Sequence, residues 1–105
     1  MNLYQISDAA AEDWQDIVNY TLTQHGEAQT RKYMSALENG IEKMALGEPP
    51  YKNLDSLYSG LRSIHCEHHY IFAVMRTNAP MLVIAVFHER MNLMMQLKKR
   101  LHDNF

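Results

Sequence analysis

Residues 60–90, GLRSIHCEHHYIFAVMRTNAPMLVIAVFHER, hold three short segments rich in β-branched and aromatic side chains. The segments are Leu61 to Glu67, Tyr70 to Met75 and Met81 to His88, separated by the His68-His69 corner and by Thr77-Asn78-Ala79-Pro80. Connections this short suit antiparallel hairpins, because a parallel crossover takes a dozen or more residues. The third segment, MLVIAVF, is apolar at every position. That pattern fits a strand covered on both faces and central in its sheet.

Working outward, Leu3-Tyr4-Gln5-Ile6 reads as a short edge strand, and Ser7 or Asp8 offers an N-cap oxygen for a helix. Glu12, Asp13 and Asp16 follow in its early turns, the helix end that favours negative charge. Ala11, Trp14, Ile17, Val18 and Thr21 give one buried stripe, and Gly26 stops the helix after about Gln24. A second helix restarts from about Glu27 to Leu46, with Thr30, Tyr33, Met34, Leu37, Ile41 and Met44 as its stripe and Gly47 ending it. So short a link makes the two helices an antiparallel hairpin. Gly40, inside the second stripe, costs helix stability relative to alanine and invites close approach by a neighbouring element. Tyr51 to Ser59 reads as a loop with Lys52 exposed. Beyond the strands, Met91 to about His102 forms a third helix with Leu93, Met94, Leu97 and Leu101 on its apolar side. Lys98, Lys99 and Arg100 sit in its last turns, where cations suit the dipole. The order is β-α-α-β-β-β-α, an α+β fold with a helical hairpin packed on an antiparallel sheet and a C-terminal helix.

A chain of 105 residues allows one domain, residues 1–105, with a modest core. No apolar run approaches the ~20 residues a membrane span needs, and the start lacks the basic region and apolar core of a signal peptide. A single cysteine, Cys66, excludes an internal disulfide framework and fits a reducing cytoplasm. Charge is unevenly placed: residues 1–59 carry four basic side chains against nine acidic, residues 60–105 six against three. This asymmetry points to two faces with different partners, without a basic run strong enough to argue direct DNA binding.

His65-Cys66-Glu67-His68-His69, with His88, has the residue types of a zinc site but not the spacing, since no second Cys-x-x-Cys pair or His-x-x-x-His helix completes it. No metal or other cofactor is expected. Cys66 lies in mid-strand among apolar neighbours, the setting of a packing thiol and not of a nucleophile. The four glycines stand alone, so no phosphate-cradling loop exists. Arg62, Arg76, His88 and Arg90 fall at strand ends or just beyond, where neighbouring strands bring side chains together. Such a cluster can grip phosphate or another protein, or assist RNA cleavage by charge stabilisation and proton transfer.

Several blocks place the chain beside a known family. They are Ala10 to Asp13 with Ile17 and Tyr20, then Tyr33-x3-Leu37-x3-Ile41, Gly47-Glu48-x-Pro50-Tyr51-Lys52 and Leu61-Arg62. Cys66-Glu67-His68-His69-Tyr70 and Val86-x-His88-Glu89-Arg90-Met91 follow and are the most specific. With these the sequence resembles the ParE toxins of the RelE/ParE superfamily, especially plasmid-type ParE, over nearly its whole length. The resemblance implies a RelE/ParE-like fold and a cytoplasmic bacterial toxin of a type II toxin–antitoxin system that serves plasmid maintenance. It implies inhibition of DNA gyrase by binding, without enzymatic activity, and neutralisation by a ParD-like antitoxin. Operator DNA would be met only indirectly, through the antitoxin.

The alternative is a RelE-like mRNA endoribonuclease. Arg62 occupies the Leu-Arg position common to both groups and Lys52 the loop that carries lysines in RelE, but no tyrosine follows Tyr70 to supply a C-terminal hydroxyl. Within the gyrase reading, Arg62, His88, Arg90, Lys98, Lys99 and Arg100 are the expected gyrase-binding residues. Trp14, Val18 and Tyr33 are the expected antitoxin anchors at the rim of the helical hairpin.

Overall fold

A computed structural model describes residues 3–105. In chain order the elements are β1 (Tyr4–Ile6), α1 (Asp8–Ala45), β2 (Lys52–Asn53), β3 (Leu61–Cys66), β4 (His69–Arg76), β5 (Ala79–His88) and α2 (Leu93–His102). Ser7 is the cap of α1: its Oγ accepts from the Ala10 N–H at 3.1 Å, and its own N–H donates to the Val83 carbonyl at 2.9 Å. Inside α1, Gly26 leaves helical geometry at φ 81, ψ 176. A straight helix of 38 residues would be about 57 Å long, whereas the longest dimension of the fold is 38 Å. The helix is therefore folded back at Gly26 into two arms, 8–25 and 27–45, the hairpin expected from the sequence.

Among the described residues the sheet has five strands, in the order β1-β5-β4-β3-β2. β3, β4 and β5 form the expected antiparallel meander, and β1 adds to β5 in parallel at the edge. β2 falls within the segment expected to be loop: Lys52 pairs with Ser63 and Asn53 with Arg62. Two residues after a Pro-Pro pair carry no alternation to read, and the open edge of β3 supplies the pairing. β5 is interior as expected, but β4 takes the middle of the sheet.

The unbroken apolar run in β5 reflects cover on both faces. Met81, Val83 and Val86 pack with Ile17, Met34, Leu37, Ile41 and Met44 of α1. Leu82, Ile84, Ala85 and Phe87 pack on the opposite side with Leu93, Leu97 and Leu101 of α2. Phe72 is registered with Ala85 while Ala73 is registered with Val83, so Ile84 is an extra residue in the ladder. This bulge turns both Ile84 and Ala85 toward α2, which plain alternation would forbid.

Three details of the helices depart from or refine the expected stripes. Ala10 is fully buried and Ala11 exposed, the phase that the Ser7 cap and Ile17 together set. Met94 is 48% exposed and lies outside the leucine face of α2. Gly40 does face a close neighbour: a Cβ there would lie 2.8 Å from Ile64 Cδ1 and 3.3 Å from Cys66 Sγ on β3. No helix among the described residues is long and apolar enough to cross a membrane.

Candidate functional site

Where the β3–β4 turn and the end of β5 meet the hairpin, they leave a cleft of about 680 Å³. Its walls include Ile17, Tyr20, Thr21 and Tyr33 of α1, His68 of the turn, His69 at the start of β4, Val86 and His88 of β5, and Arg90 just beyond it. His69 and His88 are cross-strand partners, their rings 5.2 Å apart at 86°. The Tyr33 hydroxyl lies 2.6 Å from His69 Nδ1 and accepts from the His68 N–H at 3.1 Å. His88 Nδ1 accepts from the Arg90 N–H at 3.1 Å, so the neutral ring carries its proton on Nε2.

Burial, reinforced by His88 and His68, pushes His69 down to about 4 and keeps it neutral at pH 7. Burial also pushes the Tyr33 phenol above its usual range. Charging His69 in the fold is unfavourable, and an unfolded chain would take the proton near 6.5. The unfolded state therefore binds more protons through this window, so stability is complete above pH 6.5 and is lost as pH falls toward 4. The expected slope from this residue approaches 1.4 kcal/mol per pH unit within that window. Denaturant titrations from pH 7.5 to 4 should show it, and His69→Gln should flatten it. An unchanged slope in that variant would remove His69 as the cause.

On the outer side of the same turn, Glu89 is held by His65 Nε2 at 2.8 Å and His68 Nδ1 at 3.1 Å. Hydrogen bonds from His65 first and His68 second keep the Glu89 carboxyl below its usual range. Among the described residues no group of three or more His, Cys, Asp or Glu side chains is arranged to hold a metal ion. The Cys66 thiol donates to the Ala36 carbonyl at 3.4 Å, and burial pushes it up, away from a thiolate.

The cationic residues expected to share one surface do not form one patch. Arg62 donates to the Met44 carbonyl at 3.3 Å, and its guanidinium lies 4.3 Å from the Tyr51 ring centre. It is registered with Ala73, four residues along β4 from His69, the partner of His88. That places Arg62 about 13 Å along the strands and about 10 Å across them from His88. His88 and Arg90 stay together in the cleft. Lys98 and Lys99 are exposed on α2, on the sheet face opposite α1.

Arg100 points inward. Its Nη1 and Nη2 donate to the two oxygens of Asp13 at 2.9 and 3.1 Å, and Nη1 also donates to the Ile84 carbonyl at 2.8 Å. Asp13 Oδ2 in turn accepts from the Val86 N–H at 3.0 Å. β1 stops opposite Val83, and these two side chains satisfy the strand edge beyond it. Sequence reasoning gave Asp13 to the helix dipole. The missed signal is its place between Ala10 and Ile17, three and four residues from buried positions.

Of the expected antitoxin anchors, Trp14 and Val18 line a second groove between the hairpin arms, with Leu22 and Met34. Tyr33 belongs to the histidine cleft instead.

Residues 4–93 match the family described as ParE toxin of the type II toxin-antitoxin system, parDE. The chain is 44% identical over 101 residues to a Toxin ParE of Escherichia coli, covering 96% of this chain and 98% of that one. Its fold is similar to a chain of the chromosomal ParDE TA system from P. aeruginosa, with a TM-score of 0.65 at 12% identity, covering 84% of this chain and 96% of that chain. With the family match spanning most of the chain and the relative nearly all of it, the chain belongs to the ParE toxin family of the type II toxin-antitoxin system parDE.

Proposed function

We propose that this protein is a cytoplasmic toxin that inhibits DNA gyrase by binding it, and that a ParD-like antitoxin neutralises it. The observation that carries the reading is the 44% identity with a Toxin ParE along nearly the whole chain. The exposed Lys98 and Lys99, with Arg90 beside His88 at the cleft, are cationic groups open to a target; Arg62 and Arg100 are held by contacts within the fold. The antitoxin takes the hairpin groove, where Trp14 and Val18 meet Leu22, which is 47% exposed. Reaching the operator through the antitoxin asks no DNA-reading surface of this chain.

A second reading, RNA cleavage, draws on Tyr33, His69, His88 and Arg90 lining one cleft. One assay separates the two. Purified protein added to gyrase and relaxed plasmid, alongside ribosomes translating a defined mRNA, is expected to abolish supercoiling and leave the RNA intact. Adding the ParD-like antitoxin restores supercoiling. Cleaved RNA beside undiminished supercoiling would reverse the choice.

A further inference from the structure

Helix α2 has two stripes. Leu93, Leu97 and Leu101 pack inward on the β5 face of the sheet. Met94, Met95, Lys98, Lys99 and His102 fall within one outward arc of about 140° at 100° per residue, and all are exposed. Met91, ahead of the Asn92 cap, lines the histidine cleft instead. Met94 and Met95 are 48% and 57% exposed and precede the two lysines along the helix. Among the described residues, Met94 and Met95 belong to neither apolar cluster of the core. Methionine is flexible and polarisable, suited to filling an irregular partner surface. The two lysines beside it favour a partner of opposite charge. The helix presenting them is anchored: Arg100, on its inner side, is clamped to Asp13, so the backbone under the outer stripe needs no ordering on binding.

We propose that Met94 and Met95, with Lys98 and Lys99, form the docking surface of this toxin for an acidic protein patch with an apolar centre on its target. The inference rests on the gyrase reading above and names the chemistry of that contact. It places the anchors on α2, across the sheet from the groove assigned to the antitoxin.

The test measures inhibition of gyrase supercoiling by the full-length, antitoxin-free chain and three double variants, with melting temperature as the control for folding. M94Q/M95Q is expected to raise the half-inhibitory concentration about tenfold or more, because it removes apolar contact while keeping length. M94L/M95L, which keeps the apolar contact, should stay within about twofold. K98E/K99E should also lose about tenfold or more, with a weaker dependence on salt. All three should melt close to the wild type, since the altered side chains are exposed. Wild-type inhibition left unchanged by M94Q/M95Q and by K98E/K99E would overturn the docking surface while leaving the gyrase reading intact. A wild-type chain that leaves gyrase untouched would overturn the gyrase reading, and this inference with it. Should M94Q/M95Q fail to fold, the methionines are structural and the proposal is lost on that result.

Discussion

Arg100→Ala is expected to cost the fold about 3 kcal/mol and to lower the melting temperature by about 12 °C or more. The guanidinium makes three hydrogen bonds, two to Asp13 and one to the Ile84 carbonyl. Both charged side chains are mostly out of water, at 19% and 17% exposure. Removing Arg100 leaves a carboxylate with no counter-ion and a strand carbonyl with no donor, and each loss is larger than that of a solvated pair. The residual exposure keeps the expectation near the lower end of the range for breaking buried ion pairs. Lysine should not restore the loss, since one ammonium cannot reproduce the fork that meets both carboxylate oxygens. Urea denaturation of Arg100→Ala, Asp13→Asn and the double variant would measure the coupling directly. Lys99→Ala, at an exposed side chain, should change stability by less than about 0.5 kcal/mol. If Arg100→Ala behaved like Lys99→Ala, the ion pair would have no place in holding α2 to the sheet.

Gly60→Ala is expected to be as damaging for a different reason. Gly60 sits at φ +82, where an L side chain costs about 1–2 kcal/mol. A Cβ there would also lie 2.5 Å from the Met75 carbonyl oxygen, which is backbone and has nowhere to swing. The carbonyl of Gly60 accepts from the Met75 N–H at 2.8 Å, and its N–H donates to Asp55 Oδ1 at 2.7 Å. Relieving the clash therefore breaks the first rung between β3 and β4 and loosens the loop that β2 hangs from. Together these terms put the loss at about 3 kcal/mol or more. Gly47→Ala is the matched control: its φ is +75 but nothing lies within 4 Å of the added carbon. It should lose only about 1 kcal/mol. Equal losses for the two variants would mean that the Met75 contact does not matter.

The parts of the fold legible in the sequence were those fixed by local periodicity and short connections. The meander followed from MLVIAVF and two brief corners, and the hairpin from two apolar stripes meeting at Gly26. Strand β2 was not legible, because Lys52-Asn53 pair only where β3 happens to leave an edge. The cationic residues show the same division. Their chemistry could be read from the chain, but not that Arg62 is tied to Met44 and Tyr51 or that Arg100 turns inward to Asp13. Such partners lie 18 and 87 positions away, beyond any periodicity. Met94 illustrates the reverse error: an apolar residue at core-like spacing was assigned to the interior, yet the arc of α2 carries it outward.

The sealing of β5 also bears on the order in which the molecule is completed. Asp13 and Arg100 stand 87 positions apart, so their contact closes later in folding than the local pairings of the meander, and until then one side of the sheet is unfinished. Until the final helix swings in, the Ile84 carbonyl and the apolar side chains beneath Leu97 remain open to strangers. A form of the molecule with α2 detached thus keeps its sheet but bares an apolar face and a free strand edge, a sticky species prone to aggregate.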